Sequence, residues 1–166
     1  MASQDNLMAA FAGESQANRK YLAYAAKAEK DGFPQVARLF RAAADAETVH
    51  ALAHFRTAGN VKDTIANLKD AIAGEAHESN VMYPEFVVEA EKEGAVGALR
   101  TFSNALAVEK VHHNLYEAAL AAVEGGSDLP ERKIYVCPVC GYTVYEEDLC
   151  DCPVCGVPAA KFSEVK

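Results

Sequence analysis

The groups best suited to chemistry sit in two short stretches, Glu47-Thr48-Val49-His50 and Glu109-Lys110-Val111-His112. Each is a Glu-x-x-His motif inside a long run of helix formers. Positions i and i+3 share one face of an α-helix, so each motif aims a carboxylate and an imidazole at one point. A single such pair is an ordinary feature of a solvated helix. Here two pairs are joined by glutamates at core-facing positions of two further predicted helices, Glu14 on one and Glu75 and Glu78 on the other. Five carboxylates brought together without cations would repel one another and destabilise the fold, and two divalent ions remove that cost. Carboxylate-rich sites with one histidine per metal, built inside a four-helix bundle, suit a pair of iron or manganese ions. Glu47 and Glu109 are the natural bridging carboxylates.

A second constellation lies near the end of the chain. All five cysteines follow residue 136, and four of them form paired hooks, Cys137-Pro138-Val139-Cys140-Gly141 and Cys152-Pro153-Val154-Cys155-Gly156. Two C-x-x-C hooks give a closed tetrahedral sulfur cage, which zinc and iron both satisfy. Cys150 falls outside the spacing and reads as a spare thiol. The 35 residues from 132 to 166 are too few to fold on apolar burial alone, so a metal supplies the missing stability.

Four predicted helices must position the first set of groups. Residues 3–31 carry the stripe Leu7, Phe11, Tyr21, Leu22 and Ala25, interrupted by Glu14 and Asn18. Asp31-Gly32 ends this helix and Pro34 opens the next, which runs to about residue 58 with the stripe Val36, Phe40, Ala43, Glu47, His50 and His54. Asp63 or Thr64 caps a third, running to about Glu93, in which Pro84 predicts a kink or a break one turn earlier. The fourth spans about 95–124, with Phe102, Ala105, Glu109, His112, Tyr116, Ala119 and Val123 on one side. Glu14 precedes Glu47 by 33 residues and Glu75 precedes Glu109 by 34, so the chain reads as two related helical hairpins with ligands at mid-height. Gly125-Gly126-Ser127-Asp128-Leu129-Pro130 is the one clear linker. The division expected is a helical domain over 1–126, a linker over 127–131, and a small knuckle domain with short β-strands over 132–166.

The remaining candidates are weaker. His54 reads as a bundle or rim residue, while His77 and His113 each point about 100° from a neighbouring ligand. Tyr21 and Tyr83 are placed to pack in the core with a hydroxyl on a ligand carboxylate. A net charge of −8, from 24 acids against 16 bases, argues against nucleic acid as a partner. No apolar run reaches 18 residues, so the protein is expected to be soluble and cytoplasmic.

Over essentially its whole length the chain resembles the rubrerythrins. The order Glu14, Glu47-x-x-His50, Glu75-x-x-Glu78, Glu109-x-x-His112 is similar to that family's di-iron bundle, and Tyr135 to Tyr142 with Cys152 to Gly156 is similar to a rubredoxin-type pair of knuckles. The resemblance implies a mainly α, ferritin-like four-helix bundle followed by a rubredoxin-like domain. It implies Glu14, Glu47, His50, Glu75, Glu78, Glu109 and His112 as ligands of two iron ions, with Glu78 and His50 exchanging between oxidised and reduced states. Cys137, Cys140, Cys152 and Cys155 would hold a further iron. The implied activity is a peroxidase that reduces hydrogen peroxide to water in oxidative-stress defence. Electrons would come from rubredoxin or an NAD(P)H-dependent reductase through the tail iron. The alternatives are a ferroxidase that handles or stores iron, and a zinc-tailed binding module with a vestigial bundle site. Finally, a ferritin-like bundle needs a crossover between its second and third helices, and only residues 58–62 remain for it. Five residues reach ~17 Å, whereas a helix of roughly 25–28 residues is ~40 Å long. A helix-swapped homodimer is therefore expected, in preference to a plain up-down-up-down bundle.

Overall fold

The computed structural model describes residues 2–166. Helix α1 spans Ala2–Lys30, α2 Pro34–Thr57, α3 Thr64–His77, α4 Tyr83–Glu93 and α5 Val96–Glu124. Three short strands follow, β1 Ile134–Val136, β2 Thr143–Tyr145 and β3 Ser163–Val165. The chain forms two compact units, one ending at Lys62 and the other spanning Asp63–Lys166.

Each long helical run stops in the same way. Gly32, Gly59, Gly94 and Gly126 all have positive φ, between 67° and 84°. The residue after each donates its N–H to the carbonyl five positions back, as Phe33 does to Ala28 at 2.9 Å. Left-handed backbone at this position is nearly free of strain only for glycine, so sequence alone sets where the rods end. At the other end of α3 the Asp63 carboxylate caps the helix, accepting from the Ala66 N–H at 2.8 Å.

The third helical run is interrupted where Pro84 led us to expect it. Between α3 and α4 lies a five-residue π-helical turn, Glu78–Met82, and the Tyr83 N–H donates to the Glu78 carbonyl, five residues back. Pro84 has no N–H and occupies the first turn of α4, so the wider turn accommodates a ring that an unbroken helix would exclude.

In the first unit α1 and α2 pack through small residues. Ala25, Ala28, Ala37, Ala44 and Ala51 are buried, with Phe40 against the first three. Their size lets the two backbones come close. Register is set by the buried Asn18, whose amide donates to the Ala44 carbonyl at 2.7 Å and the Thr48 hydroxyl at 2.8 Å. A buried amide without such partners would be costly, so this alignment is favoured. In the second unit α5 packs against α3 and α4, with Tyr83, Phe86 and Phe102 in mutual ring contact. The antiparallel sheet has order β2-β1-β3. Its second strand rests on α5, where the buried Val108 lies against Gly141.

Candidate metal centres

Within the first unit, α1 supplies Glu14 and α2 supplies Glu47 and His50 to one cluster whose ligand atoms all lie within 4.8 Å of one another. Nδ1 of His50 is 2.9 Å from Glu47 Oε2 and 3.9 Å from Glu14 Oε1. Within the second unit, Glu75 of α3 meets Glu109 and His112 of α5 in a cluster of the same kind. Nδ1 of His112 is 2.8 Å from Glu109 Oε2 and 3.8 Å from Glu75 Oε1. The two triads are thus near copies in composition, spacing and distance. Ligands ~2.1 Å from a shared ion stand ~3.0 Å apart when adjacent and ~4.2 Å apart when opposite, so both triads fit a hard or borderline divalent cation.

Electrostatics agree. Burial lifts the Glu75 carboxyl above its ordinary pKa, the Glu109 charge raises it further and His112 partly opposes them. Burial also raises the Tyr83 phenol, with Glu78, Glu109 and Glu75 adding to the effect. A cation among these acids would relieve both groups.

Glu78 stands outside both triads. It is half-buried at the start of the π turn, and its charge is felt at Glu75 and Tyr83. His54, His77 and His113 are also outside them; His113 instead pairs with Glu117 at 3.6 Å. Tyr21 packs on Tyr24 and Phe40. One participant gave no sign in the sequence. The Thr143 hydroxyl lies 2.9 Å from Nε2 of His112, and no spacing rule connects residues 31 positions apart on a helix and a strand.

The four cysteines form the third cluster, with their Sγ atoms all within 4.8 Å of one another. Cys137–Cys155 and Cys140–Cys152 are both 3.5 Å apart. A tetrahedral ion with ~2.3 Å bonds to sulfur needs edges of ~3.8 Å, so the cage fits. The two hooks are alike: the Gly141 N–H donates to the Cys137 carbonyl and the Gly156 N–H to the Cys152 carbonyl, at 3.0 and 2.8 Å. Burial disfavours the Cys137 thiolate, but the Cys140 and Val139 N–H groups aimed at its sulfur outweigh this and bring its pKa down to about 7. Burial raises Cys140 and Cys155. One thiolate already favoured among thiols that resist ionisation is a cage completed by a cation. Cys150 is exposed and outside the cage.

Helical triads of Glu, Glu and His followed by a four-cysteine knuckle define a class: non-haem metalloproteins pairing a Glu/His metal site with a rubredoxin-like centre. The comparisons with known proteins agree. The Rubrerythrin family model matches residues 5–120, and the model of the rubrerythrin rubredoxin-like domain matches residues 135–163. The chain is 38% identical to Rubrerythrin-2 of Clostridium acetobutylicum, over 95% of this chain and 94% of that one. It is also 38% identical to nigerythrin of Nitratidesulfovibrio vulgaris, over 96% and 84%. Among solved structures, partially reduced nigerythrin superposes with a TM-score of 0.59 at 33% identity, covering 98% of this chain and 86% of that chain. The chain belongs to the rubrerythrin family. That family consists generally of oxidoreductases, and iron is the metal expected at both kinds of site. Among the described residues no helix is long and apolar enough to cross a membrane.

Proposed function

We propose that this protein is a peroxidase that reduces hydrogen peroxide to water in oxidative-stress defence. The observation that carries the reading is the presence, in one chain, of two matching Glu/Glu-x-x-His triads and a closed sulfur cage. Glu14, Glu47, His50, Glu75, Glu78, Glu109 and His112 would hold two iron ions, and Cys137, Cys140, Cys152 and Cys155 a third. A pair of iron ions supplies two electrons, which with two protons convert one hydrogen peroxide into two waters. The cage has no open position, so it is suited to passing single electrons and not to binding substrate. Rubredoxin or an NAD(P)H-dependent reductase is the donor class such a cage serves. The exposure of His50, and the place of Glu78 on a π turn outside both triads, fit a pair that exchange as ligands, the oxygen anion for ferric and the neutral nitrogen for ferrous iron.

The working unit in this reading is a helix-swapped homodimer, in which α1 and α2 of one protomer complete a bundle with α3–α5 of its partner. Six residues, 58–63, separate α2 from α3. They span at most ~20 Å, against ~36 Å for the 24 residues of α2. Leu22, Val36, Leu39, Val49 and Leu52 stand exposed on α1 and α2, apolar surface that a partner chain would cover. The domain division proposed remains 1–126, 127–131 and 132–166, and cysteines that form a metal cage instead of disulfides fit a reducing compartment such as the cytoplasm.

The test is anaerobic reduction followed by one equivalent of hydrogen peroxide. Oxidation of two bundle irons per peroxide, then reappearance of ferric-thiolate colour in the tail, supports the peroxidase. Many irons retained per chain after ferrous loading in air would replace it with an iron-storage reading. Tagged heterodimers of chains lacking different triads would report the swap.

A further inference from the structure

The contact between His112 and Thr143 joins two sites that the sequence places in separate domains. The Thr143 hydroxyl has one hydrogen, and it is donated to the Gly141 carbonyl at 3.1 Å. Toward Nε2 of His112, 2.9 Å away, the same oxygen can therefore only accept. With that hydrogen on Gly141, Nε2 carries the ring proton, and Nδ1 of the neutral ring presents only a lone pair, 2.8 Å from Glu109 Oε2 and 3.8 Å from Glu75 Oε1, a spacing of acceptors that a shared cation would reconcile. That is the tautomer a metal requires at Nδ1.

What holds Thr143 in place is the sulfur cage. Thr143 opens β2 and pairs with Val136, the residue before Cys137. Gly141, which accepts its hydrogen bond, follows Cys140 and donates its own N–H to the Cys137 carbonyl. Gly141 also lies against Val108, one turn before His112 on α5, at 3.8 Å from where a Cβ would stand. A cavity of about 380 Å³, lined in part by Leu68, Leu115, Ile134 and Val144, flanks the contact and keeps its surroundings apolar. Among the described residues no comparable hydrogen bond holds Nε2 of His50.

We propose that Thr143 is a positioning residue through which the metal-filled sulfur cage sets the metal affinity of the His112 site in the same chain. The cage fixes the knuckle, the knuckle fixes Gly141 and Thr143, and Thr143 fixes the tautomer and ring orientation of His112. Because coupling between binding sites is reciprocal, metal at His112 also steadies the docked knuckle. The inference rests on reading Glu75, Glu109 and His112 as metal ligands.

Full-length protein with zinc in the cage, titrated with cobalt(II), tests it, since cobalt bound by carboxylate and imidazole has visible bands distinct from those of a cobalt thiolate. Thr143→Val should weaken cobalt binding at the helical site by about 10- to 100-fold, and Thr143→Ser should restore it. Disabling the cage by Cys137→Ser with Cys152→Ser, so that neither zinc nor cobalt fills it, should weaken the otherwise wild-type protein by a similar factor and leave Thr143→Val almost unchanged. In cobalt-loaded wild type the shifted ring N–H proton of His112 should exchange slowly with solvent, and in Thr143→Val quickly. Wild-type affinity in Thr143→Val, or an equal response of both proteins to disabling the cage, would overturn the proposal. A wild type that binds no cobalt outside the cage would overturn the metal-centre reading, and the proposal with it.

Discussion

The two triads use the same three residue types at nearly the same distances, yet they differ in how they are held. In Glu14/Glu47/His50 the imidazole is 54% exposed, and among the described residues its hydrogen bond is to Glu47 at Nδ1. In Glu75/Glu109/His112 the imidazole is 27% exposed, and its far nitrogen, Nε2, lies 2.9 Å from the Thr143 hydroxyl. The repeat in the sequence therefore produces one more exposed triad and one more enclosed triad. The extra contact comes from the appended knuckle, not from the helices. In the proposed exchange of His50 with Glu78, the greater exposure of His50 fits the ligand that would leave and return, and the Thr143 contact fits His112 as the one that would stay.

The harshest way to break the comparison is to remove the knuckle's metal. Cys152→Ser leaves three sulfurs, and the apparent binding energy of such structural sites is roughly 10–16 kcal/mol. We expect complete loss of ferric-thiolate absorption and rapid proteolysis of residues 132–166, with far-ultraviolet helicity retained. Tail resistance equal to wild type would show that the sheet stands without its ion.

Next in size is the contrast between the histidines themselves. His112→Ala should lower helical-site affinity about 100-fold and His50→Ala about 10-fold, read as metal retained after dialysis against graded chelator. Equal losses would mean that exposure and the Thr143 contact do not distinguish the halves.

Much of this was legible before any coordinates. Glycine stops and the Pro34 and Asp63 starts fixed the rods to within about two residues, because backbone strain and capping are local. The Glu47–His50 and Glu109–His112 pairs were legible because i and i+3 on a helix share a face, whereas the meeting of each pair with a glutamate of another helix rests on packing. Pro84 announced an interruption, but not that it would be a π turn beginning at Glu78, since proline forbids one bond without choosing its replacement. Thr143 was invisible. It is an ordinary strand residue whose importance arises only when β2 docks on α5, and no periodicity encodes that docking.

A smaller effect sharpens the account of the first half. Asn18 aligns α1 with α2 by two hydrogen bonds, so Asn18→Ala should cost about 1–2 kcal/mol in urea unfolding. It should also loosen the Glu14 side of the more exposed triad more than the Glu47–His50 pair, which lies within one helix. Unchanged stability would move register control to Phe11 and Phe55, whose rings meet at 4.6 Å.

The subtlest prediction concerns pH and reverses sign with metal. Burial and the Glu109 charge raise the folded pKa of Glu75 above its ordinary 4.5. The folded, metal-free chain therefore keeps a proton that the unfolded chain releases. Stability from this group is full below the unfolded value and is lost as pH rises through the folded value. Glu75→Gln has no proton to lose. The metal-free variant should match wild type near pH 4 and exceed its Tm by on the order of 2 °C at pH 8. With iron bound the order inverts, because the ion needs the carboxylate and replaces the proton as its partner. Parallel Tm curves for the two metal-free proteins would show that repulsion within the more enclosed triad is relieved some other way, and that a cation is not what its acids are built to meet.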